Sequence, residues 1–248
     1  MNCKLYLENL RERVDELGIQ GAVIGLSGGK DSNIVAKLIV DILGAENVIG
    51  VMIPNDDVPD ELAVELAKML DIRTLTCDIG SAFVNMCINT DKALEKVARN
   101  LSEDAQINVA PRLRMTVLYA IAQSMGNGYR VIGTTNRSEN YIGWLTKWGD
   151  GGVDFEPIIN LTVRDLHELG TYIGLPEKFV KRVPVDGLTP KTDEERFGFT
   201  YNQLDNYIMV EDMTGHGTSG NKAIDAKIEK MHQYSEHKRN QIPDVKLF

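Results

Sequence analysis

An α/β fold, a doubly wound and mostly parallel sheet with helices on both faces, is what the sequence predicts, and three observations predict it. Short continuous apolar runs recur at 21–26 (GAVIGL), 47–54 (NVIGVMIP), 73–79 (RTLTCDI) and 129–135 (YRVIGTT). Stretches with helical periodicity lie between and after them, at 33–43, 60–70, 83–101 and Val109–Met125. A Gly-rich turn, Gly25 to Ser32, joins the first apolar run to the first of those helices. Strands that are apolar on both sides must be covered on both faces, and alternation with helices supplies the cover by parallel crossovers.

The remaining elements follow from the same periodicities. Tyr6, Leu10, Val14 and Leu17 recur at helical spacing, so the chain should begin with an amphipathic helix. Residues 163–173 and 201–208 read as further helices, and 223–234 as a last one. Two polar segments, 183–196 with two prolines and 213–223 rich in Gly, Ser and Thr, read as loops; composition leaves open whether they close over a ligand or only connect.

A chain of 248 residues can build a sizeable core without a second domain, so a single domain over 1–248 is expected. Hydrophobic residues at 43% and charged residues at 25% place it among ordinary globular chains. The net charge of -9 argues against a nucleic-acid footprint, which needs a broad basic face, but not against a phosphorylated ligand held by a local cluster. Cys3, Cys77 and Cys87 are odd in number and lack metal-ligand spacing, consistent with free thiols in a cytoplasmic protein. The N-terminal residues carry charges throughout, and no run of about 18 apolar residues occurs, so neither a signal peptide nor a membrane span is expected.

The chemistry concentrates in Gly25, Leu26, Ser27, Gly28, Gly29, Lys30, Asp31 and Ser32. In an open α/β sheet a ligand sits beyond the carboxyl ends of the strands, where this turn lies. Small residues let backbone amides approach phosphate oxygens, and a helix N-terminus adds partial positive charge. It is not a Walker A loop: Ile24 stands where that motif begins, and Asp31 follows Lys30. Nor does it match GxGxxG. An acidic residue inside a phosphate loop makes sense if it holds Mg2+ against the phosphates. A tight Gly turn capped by Asp31 or Ser32 is the bland alternative.

The hexapeptide from Ser27 to Ser32 resembles the SGGxDS loop of the PP-loop ATP pyrophosphatases, which cleave ATP between the α and β phosphates. Further segments are similar to those of one branch, the ammonia-dependent NAD synthetases. Residues 108–115 resemble NxxARxRM, with Pro111 for the usual alanine; 133–139 resemble GTxxxxE; 143–154 resemble GxxTKxGDGGxD; and 236–239 match EHKR. Together these span about residues 5 to 243.

That resemblance implies a reaction and a set of roles. ATP would adenylate the nicotinate carboxylate of deamido-NAD, releasing pyrophosphate, and ammonia would then displace AMP. Asp31 and Glu139 would hold Mg2+, and Thr134 together with the Gly25–Ser32 loop would bind ATP. Arg112, Lys147, Asp154, His237 and Lys238 would bind deamido-NAD, and the family pattern implies a homodimer. The apolar first helix and Val109–Met125 are candidates for its interface, unless each is spent inside one subunit. Asp150, between glycines, is the candidate to take a proton from incoming ammonia, and Lys147 to stabilise the developing charge. A turn in which Asp150 bonds its own backbone is the competing account. Trp144 and Trp148 could stack on a ligand ring or lie in the core. Two positions depart from the family: Val163 stands for a lysine, with Arg164 next door as a possible replacement, and Val185 stands for Ser or Thr. Glutamine-using relatives carry a separate glutaminase domain, which implies ammonia as the nitrogen donor here. The rival readings are a tRNA-modifying PP-loop enzyme, disfavoured by the acidic balance and the lack of CxxC, and a nucleotide sensor that has lost catalysis.

Overall fold

The computed structural model describes residues 1–55, 58–181 and 192–240. Four strands form one parallel sheet in the order β3-β2-β1-β4: β1 (Gly21–Gly25), β2 (Val48–Met52), β3 (Arg73–Thr76) and β4 (Tyr129–Ile132). A single bridge from Phe155 to Ile132 extends the sheet beyond β4. Helices α1 (Cys3–Glu16), α2 (Lys30–Leu43), α3 (Glu61–Met69), α4 (Gly80–Glu95), α5 (Glu103–Ile107) and α6 (Val109–Met125) precede β4. After it come α7 (Arg137–Ile142), α8 (Val163–Tyr172), α9 (Glu177–Val180), α10 (Asp193–Phe197), α11 (Tyr201–Thr214), α12 (Lys222–Tyr234) and α13 (Glu236–Arg239).

The pleat of the central strands explains the double winding. Ala22 and Ile24 face the core built by α1, α2, α8 and α9, whereas Val23, Ile49, Val51 and Val131 face α6. Every residue of β2 is buried, while all four of the edge strand β3 are exposed. A second apolar cluster joins Ile142, Val163, Phe197, Phe199, Tyr201, Leu204 and Ile228 from the later helices. Tyr201 of that cluster lies against Lys30 at the start of α2.

Most element boundaries follow the sequence pattern, and the exceptions have local causes. α6 has the predicted bounds. α2 begins at Lys30, three residues before the apolar stripe, because Gly29 serves as its N-cap. The expected 83–101 helix begins earlier and stops at Glu95; Ala98 then takes a positive φ of 53°, and α5 begins after the Ser102 cap. α11 runs on to Thr214, past the expected end at 208, where Gly215 closes it in the left-handed conformation. The end of the expected 183–196 loop is helical instead, since Thr192 and Glu195 form a capping box that starts α10. Val185 and Pro184 lie outside the described residues.

Candidate active site

The turn from β1 to α2 is shaped for an anion. Gly28 has a φ of 75°, a conformation that a Cβ would strain. The N-cap Gly29 offers no side chain to the first amides of α2, so they remain available to a ligand. Internal bonds fix the turn: Ser32 donates to Gly29 O at 2.9 Å, and Asn33 Nδ2 donates to Gly28 O and to Phe179 O, both at 3.2 Å. Leu26 contributes backbone only, because its side chain is buried against Gly50.

Charge gathers immediately behind the turn. Lys30 is buried at 3% exposure, and its ammonium donates to both carboxylate oxygens of Asp31 at 2.9 Å. Burial alone would pull the Lys30 pKa down; Asp31, Glu139 and Asp193 outweigh it and hold the ammonium above its ordinary value. Glu139 is raised too, from a different cause: burial, then the neighbouring Asp31, push its carboxyl well above the usual range. Glu139 closes the α7 capping box with Asn136, so it is a helix-terminal glutamate and a member of this charge cluster at once. Among the described residues no set of three or more His, Cys, Asp or Glu side chains is grouped to hold a metal. Two adjacent carboxylates nevertheless suit a hard cation whose other ligands are phosphate and water.

Thr134 lies half-buried at the end of β4, and its hydroxyl has no hydrogen-bond partner among the described residues. The segment around it is held by Glu156, whose carboxylate accepts from the Thr135 N–H at 3.2 Å and abuts Gly133 so closely that a Cβ there would fall 2.2 Å away. Burial pushes the Glu156 carboxyl up to about 8, against the pull of Thr135, and Asp150 adds to the rise.

The 143–154 segment is assembled from distant parts of the chain. Lys238 donates to Gly143 O and Leu145 O, both at 2.7 Å; Lys147 donates to His237 O; Arg112 Nε donates to Lys147 O at 3.3 Å. The predicted residues Arg112, Lys147, Asp150, His237 and Lys238 are thus brought into one neighbourhood, and His237 takes part through its carbonyl. Asp150 Oδ1 accepts from the Thr146 N–H at 2.8 Å, so the carboxylate does shape its own turn. The residue is solvent-accessible, yet the protein around its carboxyl raises its pKa, against the pull of the Thr146 hydrogen bond and of Lys238. Burial lowers the Lys238 ammonium, and Asp150 partly restores it.

Asp154 is placed apart from that group. Its Oδ1 accepts from Tyr119 OH at 3.0 Å and its Oδ2 from the Val131 N–H at 2.9 Å. It lines an open cleft of ≈ 470 Å³ with Gln123, Tyr129 and Arg130. The two tryptophans divide: Trp144 packs edge-on to Phe197 at 4.5 Å, and Trp148 is 52% exposed with Lys147 over its ring.

Arg164, the candidate replacement cation for the phosphate loop, turns toward α11. Its guanidinium donates to Asn202 and Asn206 on α11, at 2.8 and 2.7 Å, while Val163 is buried in the second core. Arg114, Glu156, Asp193 and Tyr201 belong to the site but were not singled out from sequence. Arg114 lies two residues from Arg112 and so points elsewhere on the helix, donating to Ile53 O at 3.1 Å. Tyr201 donates to Asp193 at 3.0 Å beneath Lys30, a contact no local motif announces.

The NAD synthase family model matches residues 3–242. The NH(3)-dependent NAD(+) synthetase of Finegoldia magna is 36% identical over 240 residues, covering 96% of this chain and 92% of that protein. The solved structure of NMN synthetase from Francisella tularensis superposes with a TM-score of 0.83 at 31% identity, over 100% of both chains. That of the NH3-dependent NAD synthetase from Campylobacter jejuni, in complex with the nitrate ion, superposes with a TM-score of 0.77 at 25% identity, over 99% of this chain and 100% of that one.

Proposed function

The chain belongs to the NAD synthase family, and from that premise we propose that it is a ligase forming a carbon–nitrogen bond, the ATP-dependent amidation of deamido-NAD to NAD with ammonia. A carboxylate is a poor acyl donor at neutral pH. Transfer of AMP to the nicotinate carboxylate, with loss of pyrophosphate, makes it one; ammonia then attacks the carbonyl carbon and AMP leaves. One domain over 1–248 carries both half-reactions.

A single observation carries the reading: the two halves of the site are physically continuous. Glu139 stands in the charge cluster with Lys30 and Asp31, and its carbonyl accepts from the Trp144 N–H at 2.8 Å, at the start of the 143–154 segment. Glu156 lies between the Thr135 amide and Asp150. A phosphate loop therefore adjoins a cationic loop with a reactive carboxylate, as a two-step adenylation and amidation requires.

Within that reading the Gly25–Ser32 turn and Thr134 bind ATP. Asp31 and Glu139 hold Mg2+, which supplies positive charge to offset what develops on the phosphates. Arg112, Lys147, His237, Lys238 and Asp154 bind the dinucleotide. Asp150 attracts ammonium and accepts its proton, its raised pKa making it the stronger base, and Lys147 faces the developing oxyanion. The protein acts as a cytoplasmic homodimer; no helix among the described residues is long and apolar enough to cross a membrane. The first helix gives Leu10 and Val14 to the main core and leaves Leu5 exposed at 50%. A partner face can be built from α6 with α4, on which Val84 and Ile88, one turn apart, are exposed at 44% and 47%. Sedimentation should give twice the 27.6 kDa chain mass at micromolar concentration; a single 27.6 kDa species overturns the dimer.

A second substrate has a specific observation in its favour: the Francisella tularensis neighbour, aligned over its whole length, is an NMN synthetase. The same chemistry would then amidate nicotinate mononucleotide. Supplying purified protein with ATP, ammonium and either deamido-NAD or nicotinate mononucleotide decides between them. NAD formed at the higher kcat/KM supports the first reading, preferential NMN formation replaces it, and no pyrophosphate release with either defeats both.

A further inference from the structure

Lys30 occupies an unusual place for a lysine. It is the first residue of α2, where the positive end of the helix disfavours a cation. Its side chain is 2% exposed against 17% for Asp31, so water screens neither well. The ammonium stands 5.8 Å over the Tyr201 ring centroid, and the Tyr201 hydroxyl is itself held by Asp193. Three carboxylates, those of Asp31, Glu139 and Asp193, stabilise the charge there. These carboxylates, with the Tyr201 ring, offset the desolvation of an ammonium in that position.

Two of the three are the carboxylates to which the function above assigns the metal. Both oxygens of Asp31 already accept from the Lys30 ammonium. A divalent ion on the same carboxylate would sit beside a fixed positive charge in a weakly screened environment, and the two would repel.

We propose that Lys30 is a tethered counter-cation of the metal site: it holds Asp31 while ATP is absent, disfavours a divalent ion there, and transfers its ammonium to the phosphates when ATP arrives with its metal. The lysine stem allows this, because a compact ammonium on four carbons can exchange acceptors without moving the backbone. ATP supplies the negative charge that lets two cations occupy one site. Metal and nucleotide therefore bind with positive coupling, and the free enzyme does not load its carboxylates with metal alone. The idea rests on the ATP and Mg2+ reading of the loop, and its test is separable from turnover.

The probe is Mn2+, titrated into ATP-free protein and followed by the electron paramagnetic resonance of the free ion. Lys30→Met should bind Mn2+ at least about tenfold more tightly than the parent, and K30M/D31N should lose that gain, placing it at Asp31. Lys30→Gln, neutral but still able to hydrogen-bond Asp31, serves as the second variant should Lys30→Met fail to fold. It too should bind Mn2+ more tightly, and Mn2+ should raise its Tm more than the parent's. Unchanged Mn2+ affinity in a folded neutral variant overturns the proposal and leaves the ATP and metal reading standing. Turnover by the parent in the absence of any divalent ion overturns both.

Discussion

The phosphate turn and the 143–154 segment solve the same problem, holding charge beside a ligand, in opposite ways. In the turn the partners are sequence neighbours: Lys30 pairs with Asp31, Ser32 with Gly29, and a helix N-terminus supplies the amides. In the 143–154 segment the partners are remote, Lys238 and Lys147 being bonded across 95 and 90 residues of chain. The turn's own bonds form with β1 and α2, and remote contacts from Asn33 to Phe179 O and from Lys30 to Tyr201 then seat it. A site closed from a distance exists only when the last helices have docked. The 143–154 segment should therefore lose chemistry and stability together at its remote bonds, whereas in the turn it is the buried Lys30–Asp31 pair that ties the two.

The largest break is expected at Asp31. Asp31→Asn keeps the size and polarity of the side chain but removes the charge that faces Lys30 and that the proposed Mg2+ site requires. Pyrophosphate release should fall by roughly 10²–10³. Tm should fall as well, because the buried Lys30 ammonium loses its direct partner; near-normal release by the folded variant would defeat the assignment of Asp31 as a metal ligand.

Asp150→Asn sharpens the contrast from the other side. If Asp150 takes the proton of ammonium, a first turnover should still release pyrophosphate while NAD formation drops by about 10²-fold or more. The Thr146 N–H bond to Oδ1 can survive in the amide. Equal loss of both steps, with a lower Tm, would mean that the carboxylate only shapes its turn. Rapid-quench sampling of adenylate and NAD separates the outcomes.

Glu156 links the two regions and makes a prediction about pH. Its folded pKa, about 8, is raised from an ordinary 4.5, so the folded state binds the extra proton between those values. Stability from this group is complete below about pH 4.5 and is lost as pH rises through 8, at up to about 1.4 kcal/mol per unit. Glu156→Gln should flatten the fall in stability between pH 5 and 8. An identical pH dependence of Tm in the two proteins would remove Glu156 from the account.

The smallest effect tests remoteness itself. Lys238→Met leaves Gly143 O and Leu145 O without their donor, which should cost about 1–3 kcal/mol and lower Tm by several degrees, with a higher KM for the dinucleotide. A KM change with no loss of Tm would mean that the 143–154 segment is not held from outside.

The sequence by itself determined the sheet, the bounds of α6 and the Gly25–Ser32 turn. Those features depend on periodicity and on neighbours in the chain, so a local pattern encodes them. It also nominated the members of the 143–154 cluster by family resemblance, although not the bonds that join them. Only the tertiary structure decided that Lys238 secures a turn through its carbonyls and that Arg164 faces α11 rather than the phosphate loop. It alone set Tyr201 and Asp193 beneath Lys30, and made Glu156 the neighbour of both Gly133 and Asp150. Hydrogen bonds and pKa values depend on distance and burial in space, and residues ninety positions apart carry no local periodicity that records their meeting.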